Sequence, residues 1–108
     1  MQQAPGACSR TLRPASVAQA CAAVLVTYHP DIPILLKVLQ ATVPQVDRVI
    51  VVDNGSPDAL EEGLRPLLDA GRVVLRRLGR NYGIAYAHNR GLEEIVAAGY
   101  RWALILDQ

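Results

Sequence analysis

Residues 48–56 read Arg-Val-Ile-Val-Val-Asp-Asn-Gly-Ser. An apolar run of this kind, with no polar alternation, predicts a strand that is buried on both faces, as in a parallel sheet covered by helices. Such sheets bind ligands at the carboxyl ends of their strands, which is where Asp53 lies. Asn54-Gly55 supplies a sharp turn that lets the backbone approach a ligand closely. These nine residues therefore predict both a core strand and the edge of a binding site.

On either side of this strand, short apolar runs alternate with helical patterns over residues 21–108. Residues 1–20 form a leader rich in Pro, Ala, Ser and Gln, which we expect to be disordered. Right-handed crossovers between the strands make this an α/β domain with a Rossmann-like, mostly parallel sheet of about four strands and helices on both faces. The predicted strands are 22–28, 48–53, 73–77 and 102–107, and the predicted helices are 32–41, 57–70 and 83–98. We expect the second helix to be kinked or broken at Gly63 and Pro66.

Composition excludes several classes of protein. The chain has 108 residues, is 51% hydrophobic and has a formal net charge of +1, which indicates one globular unit and gives no sign of a nucleic-acid partner. No apolar run approaches the roughly 18 residues of a membrane span. The leader lacks the apolar core of a signal peptide, so we predict a cytoplasmic protein. Cys8 and Cys21 have no metal-binding spacing and are expected to be unpaired thiols.

In the doubly wound strand order 3-2-1-4, polar residues collect at the carboxyl edge of the sheet. They are Thr27 to His29 after the first strand, Asp53 to Ser56 after the second, Arg77 to Gly83 after the third and Asp107 at the end of the fourth. This order puts a ligand crevice between the first and fourth strands. Neither the glycine-rich turn of dinucleotide-binding folds nor a Gly-Lys-Ser/Thr phosphate loop is present. An acid at a strand end is suited to accept a hydrogen bond from a base N–H or a ribose hydroxyl.

Each of these residues also has a purely structural interpretation. Asp53 is a candidate cap for the second helix and Asn81 for the third, Gly83 is a candidate turn residue, and His88 is expected to be a packed helix residue. Five arginines and no acid fall between Gly71 and Gly91. We expect these arginines to form solvated faces, with Arg77 and Arg80 closest to the predicted edge.

Four ordered blocks resemble family 2 glycosyltransferases with the GT-A fold. The blocks are Val24 to Pro30, Val51 to Ser56, Asn81-Tyr82-Gly83 with Asn89-Arg90-Gly91, and Leu104 to Gln108. Within that family, Thr-Tyr-His-Pro, Asp-Asn-Gly-Ser and Leu-Asp-Gln are most similar to bacterial rhamnosyltransferases of polysaccharide synthesis, which use dTDP-rhamnose. The resemblance spans residues 22–108 and implies the nucleotide-diphospho-sugar-binding part of such a fold.

The resemblance also implies roles for individual residues. Thr27 and Tyr28 would line the nucleotide pocket, and Asp53 would bond the pyrimidine base. Asp107 would be the first acid of the Asp-x-Asp motif, which in the family contacts the ribose and a Mg²⁺ or Mn²⁺ ion that bridges the diphosphate. The implied nucleotide-binding residues are Thr27, Tyr28, Asp53, Asn54, Asn81, Gly83, Asn89 and Asp107, and Asp107 is also an indirect or partial metal ligand.

Other family features are not found in residues 1–108. His88 stands where many relatives carry Arg, so the basic contact that this position would make to the nucleotide is not carried over to this chain. The second acid of the motif, the acceptor half and the catalytic base are missing, so we expect no catalytic residue, no metal bound by this chain alone and no turnover. The implied partners of an intact enzyme are a dTDP-rhamnose or UDP-sugar donor and a saccharide or lipid-linked acceptor, at a membrane-peripheral location without a membrane span.

Two alternatives to a glycosyltransferase part stay open from the sequence. One is a non-catalytic nucleotide-binding or structural α/β fragment, whose fourth strand would be an unprotected sheet edge. The other treats Leu-Asp-Gln as the start of a phosphatase-type Asp-x-Asp motif, although such a motif would normally open its domain.

Overall fold

The computed structural model describes residues 21–106, in which strands and helices alternate. In chain order the elements are β1 (Cys21–Thr27), α1 (Ile32–Thr42), a short 3₁₀ helix (Val43–Gln45), β2 (Arg48–Asp53), α2 (Ala59–Ala70), β3 (Val73–Arg77), α3 (Ile84–Ala97) and β4 (Trp102–Leu106). The strands form one sheet in the order β3-β2-β1-β4, and every pairing is parallel. The predicted α/β fold class and strand order are confirmed, and the 3₁₀ helix was not predicted.

The sheet has a helical layer on each face, and β1 lies between them. All seven residues of β1 are buried. Successive side chains of a strand point to opposite faces, so Ala23 and Leu25 pack in the cluster under α1 and α2, whereas Ala22 and Val24 pack in the cluster under α3. This two-sided burial explains why the apolar runs of the sequence show no polar alternation.

Local sequence signals account for the start of α1 but not for the extent of α2. Asp31 caps α1, since its Oδ1 accepts a hydrogen bond from the amide of Ile34 at 3.1 Å. The prediction for the second helix is partly wrong: α2 begins two residues later than predicted and continues as one element through Pro66. Leu60 and Leu64 of α2 are both buried in the same cluster, so tertiary packing outweighs the local cost of the proline.

The expectation of two unpaired thiols is also wrong, because Cys21 is disulfide-bonded. The sequence has one other cysteine, Cys8, which lies outside the described residues together with the whole predicted leader. Cysteine spacing reveals metal sites and multi-bridge frameworks, and a single pair produces neither pattern. None of the helices in residues 21–106 has the length and apolar character that a membrane crossing requires.

Helix α3 packs closely against the sheet at Gly91. A Cβ atom at this position would lie 2.7 Å from Cγ1 of Val24 and 3.2 Å from Cγ2 of Val52. Both valines are fully buried in central strands and have no room to move. The absent side chain of Gly91 therefore sets the distance between α3 and the sheet.

We expect Gly91→Ala to lower the free energy of unfolding by about 1–3 kcal/mol, because overpacking at the sheet outweighs the gain of about 1 kcal/mol in helix propensity. Urea unfolding of the chain measures the difference. The matched control is Gly63→Ala in α2, where the nearest atom is Cγ2 of the half-buried Ile32 at 2.9 Å, so a smaller loss is expected. Equal losses in the two variants would contradict the assignment of Gly91.

Candidate functional site

The carboxylate of Asp53 is the centre of the polar edge. Asp53 is 0% exposed, and its Oδ1 accepts hydrogen bonds from the hydroxyls of Thr27, at 2.7 Å, and Ser56. Its Oδ2 accepts from the amides of Ser56, at 2.7 Å, and Gly55, at 3.2 Å, and lies 3.9 Å from Nε of Arg77. A carboxylate offers about four acceptor positions, so the donors of the protein itself satisfy this group.

Ser56 connects the Asp53 carboxylate to the loop after β1. Its hydroxyl donates to Asp53 and accepts a hydrogen bond from the amide of His29 at 2.8 Å. His29 has a φ of +49°, a left-handed conformation that is uncommon for a residue other than glycine. The ring of His29 contacts that of Tyr28 edge to face, with centroids 4.4 Å apart. The side chain of Ser56 therefore links the loop after β1 to the turn after β2.

Asn54 connects the same turn to the loop between β3 and α3. Its Oδ1 accepts a hydrogen bond from the amide of Tyr82, and its Nδ2 donates to the carbonyl of Gly83, both at 3.2 Å. Next to it, Gly55 has a φ of +100°, and a Cβ atom there would lie 2.9 Å from Cα of Arg80. The backbones of the two loops thus pack directly against each other, and Asn54 holds them in place.

Most of the basic segment is neutralised within the protein. Arg76 makes a bidentate pair with Glu94, Arg77 bonds Asp58 and the carbonyl of Ser56, and Arg90 pairs with Glu93. Arg72 donates to backbone carbonyls of Val43 and Val46. Among residues 21–106, Arg80 is the arginine of this segment without an acidic or carbonyl partner, and its guanidinium lies 5.3 Å from the ring centroid of Tyr82.

The residues predicted for the site fall into separate groups. Thr27, Asp53 and Asn54 are buried, and their polar groups are bonded to other parts of the protein. Tyr28, Asn81 and Gly83 are exposed at the same edge, and Oδ1 of Asn81 accepts from the amide of Gly83 at 2.8 Å. Asn89 is exposed further along α3, beside a cavity of about 460 Å³ that Leu92, Glu93, Val96 and Ala97 also line.

Asp107 lies outside the described residues, so its predicted place at this edge stays a prediction.

The residues that precede α2 and α3 are not the ones expected from the sequence. Asp58, not Asp53, is the residue before α2, and Gly83, not Asn81, is the residue before α3. Ser56 and Arg77 are contributors that the predicted set of site residues missed. A serine three residues after an aspartate is the sequence signal for such a bonded turn.

The described residues do not fit a divalent metal ion. No group of three His, Cys, Asp or Glu side chains within residues 21–106 is arranged to hold one. Asp53, the buried carboxylate of this edge, has both oxygens occupied by protein donors. What the edge offers is a rigid base with exposed aromatic, amide and guanidinium groups around it, which is suited to binding.

Comparisons with known proteins agree on one family. The model of the family described as Glycosyl transferase family 2 matches residues 23–108. The dTDP-rhamnosyl transferase RfbF of Shigella flexneri is 36% identical over 86 residues, which make up 80% of this chain and 28% of that protein. The chain therefore spans less than a third of the length of this curated relative.

We expect Asp53→Asn to lower the free energy of unfolding by about 2–4 kcal/mol, because an amide nitrogen would replace an oxygen that accepts buried hydrogen bonds. Thermal or urea unfolding measures the loss. Asp58→Asn is the matched control, since Asp58 also pairs with Arg77 but its side chain is fully exposed, and we expect a change within about 0.5 kcal/mol. Unchanged stability in Asp53→Asn would show that Asp53 does not hold the edge together.

We expect Asn54→Ala to free the loop between β3 and α3, since it removes both hydrogen bonds to the backbone of Tyr82 and Gly83. Amide hydrogen exchange followed by NMR should then be faster at Tyr82 than in the parent chain, while Val51 in the core strand keeps its protection. Asn81→Ala is the control, because it removes the bond to the amide of Gly83 alone. Unchanged exchange at Tyr82 in Asn54→Ala would contradict this role.

Proposed function

Because the chain belongs to glycosyl transferase family 2, whose model matches residues 23–108, we propose that it binds the nucleotide-sugar donor of an inverting glycosyltransferase at the carboxyl edge of its sheet. The observation that carries the proposal is the buried network of Asp53 and Asn54, which ties the loops after β1, β2 and β3 into one edge. The proposed donor is dTDP-rhamnose, supported by the 36% identity to a dTDP-rhamnosyl transferase. A UDP-sugar is the alternative donor.

The proposed site divides into positioning residues and contact residues. Thr27, Asp53 and Asn54 position the loops, since their polar groups are engaged within the protein. Direct bonding of the base by Asp53 would require one of its four donors to be displaced. Tyr28, with half of its surface exposed, is the proposed stacking partner of the base. Asn81, Gly83 and Asn89 are proposed to shape the wall beside it.

Charge at the edge supports a diphosphate ligand. The guanidinium of Arg80 has no acidic partner within residues 21–106 and is free to pair with phosphate oxygens. No described side chain caps the amino end of α3, whose amides favour negative charge. A divalent ion, where present, would neutralise the departing diphosphate. We propose Asp107, outside the described residues, as the candidate to contact it.

The reaction itself requires more than the described residues supply. In an inverting enzyme a carboxylate deprotonates the acceptor hydroxyl, which attacks the anomeric carbon as the nucleoside diphosphate leaves. The acids at the described edge are Asp31, Asp53 and Asp58, and each is engaged: Asp31 caps α1, Asp53 is saturated and Asp58 pairs with Arg77. We therefore propose that residues 1–108 bind donor without transferring the sugar, as part of an enzyme of polysaccharide synthesis.

The proposed location is cytoplasmic and, for the intact enzyme, membrane-peripheral, with a saccharide or lipid-linked acceptor. This location rests on the proposed role in polysaccharide synthesis. The disulfide at Cys21 argues against a cytoplasmic position, because the cytosol keeps most thiols reduced.

Saturation-transfer NMR of the 108-residue chain with dTDP tests the binding proposal. We expect signal transfer to the thymine protons and a clear loss in Tyr28→Ala, because the exposed ring is the proposed stacking surface. Trp102→Leu is the matched control, an exposed aromatic at the opposite end of the strands, and it should retain the signal.

The outcomes of this experiment separate the alternatives. A folded chain that transfers no saturation to dTDP or UDP contradicts the proposed function and favours a structural fragment. Equal signals from the parent chain and Tyr28→Ala would remove Tyr28 from the site. If chromatography detects dTDP released from dTDP-rhamnose by the chain, that result would contradict the proposed lack of turnover.

A further inference from the structure

The covalent bond at Cys21 lies far from the proposed donor site. Cys21 is disulfide-bonded, and the sequence contains one other cysteine, so a bond within this single chain joins Cys21 to Cys8. Cys21 is the first residue of β1, at the amino edge of the sheet, whereas the candidate site follows Thr27 at the other end of the same strand. The disulfide is therefore a feature that ligand binding at the carboxyl edge does not explain.

The Cys21 half of this bond is fixed in the core. Its side chain is 0% exposed and packs in the cluster under α1 and α2. Its amide donates to Oδ2 of Asp47 at 3.0 Å, and its carbonyl accepts from the amide of Asp47 at 2.8 Å. A reduced cysteine is itself a small apolar core residue. The core and Asp47 therefore hold the start of β1 whether the disulfide is closed or open.

The Cys8 half belongs to a segment of opposite character. Residues 1–20 are rich in Pro, Ala, Ser and Gln, a composition that predicts disorder, and they include Arg10 and Arg13 but no acid. Opening the bond thus frees a basic segment and leaves the core residues in place. Thiol exchange is also restricted to one of the two sulfurs, because the core shields Cys21 from an attacking thiolate.

We propose that the disulfide is a redox-operated clasp, which fastens residues 1–20 to the amino edge of the sheet when oxidised and releases them when reduced. The proposed reductant is a dithiol protein of the thioredoxin class. A clasp of this kind removes the conflict between the disulfide and the proposed cytoplasmic location, since cytosolic disulfides are usually transient and redox-sensing. The clasp does not depend on the donor proposal.

The release step is a thiol–disulfide exchange. One thiolate of the reductant attacks Sγ of Cys8, the bond to Cys21 breaks, and the departing thiolate of Cys21 takes up a proton. The second thiol of the reductant then attacks the mixed disulfide and displaces the thiolate of Cys8, which is protonated in turn. Two electrons and two protons pass to the chain, and the reductant is left with its own disulfide.

Limited trypsin digestion of the 108-residue chain, followed by mass spectrometry, tests the clasp. Cleavage after Arg10 leaves the peptide 1–10 attached through the disulfide, and we expect reduced thioredoxin to release it. In Cys8→Ser the peptide should leave without reductant, and Ser9→Ala is the matched control that should behave as the parent chain. After reduction, iodoacetamide should label Cys8 about tenfold or more faster than Cys21 until urea unfolds the chain.

Thermal unfolding gives a second readout that needs no protease. We expect reduction to lower the Tm of the parent chain by about 10 °C, because the closed loop of residues 8–21 no longer restricts the unfolded state. Cys8→Ser should show the lower Tm with and without reductant.

The contrary results are equally specific. Loss of peptide 1–10 from the oxidised parent chain would show that no clasp exists. Retention of the peptide after treatment with reduced thioredoxin would make the bond a permanent staple and overturn the redox role. Labelling of Cys21 as fast as Cys8 would show that reduction opens the core, and an unchanged Tm on reduction would show that the bond does not fasten the segment. Both results contradict the proposal.

Discussion

A fully buried carboxylate holds the carboxyl edge of this sheet together. Asp53 ends the central strand β2, and its four hydrogen bonds draw in a hydroxyl at the end of β1 and the whole turn that follows β2. Arg77 at the end of β3 lies close to the same carboxylate. A buried charge is costly unless it is fully paired, so each donor is constrained to one position. Three strand ends are thereby fixed relative to one another.

This arrangement separates the residues that build the edge from those that face solvent. The polar groups of Thr27, Asp53 and Asn54 are bonded to other groups of the protein. Tyr28, Asn81 and Tyr82 are exposed on the loops that these bonds hold in place. A binding surface made this way has little conformational freedom to lose when a ligand arrives. The charge of the edge follows the same logic, because the other arginines of residues 71–91 are paired and Arg80 has no acidic partner in the part of the chain that the structure describes.

The fold could be predicted from the sequence because its determinants are local and repetitive. Unbroken apolar runs such as Val49 to Val52 identify strands that are buried on both faces, and the handedness of crossovers then restricts the strand order. The place of the candidate site is predicted from that order. The roles of its residues do not, because they depend on partners distant along the chain: 26 positions separate Thr27 from Asp53, and 18 separate Arg76 from Glu94. The continuity of α2 through Pro66 likewise depends on packing that local propensity does not contain.

The outer surface of the edge depends on the core as much as on the network. Gly91 allows α3 to lie closely against Val24 and Val52 of the sheet. Asn54 attaches the same segment from the loop side, by bonding the backbone of Tyr82 and Gly83 just before the first turn of α3. Tyr82 and Tyr86 stand on the segment between these two attachments. Because both attachments must be satisfied at once, the backbone that carries Tyr82 and Tyr86 is positioned from the core side by Gly91 and from the loop side by Asn54.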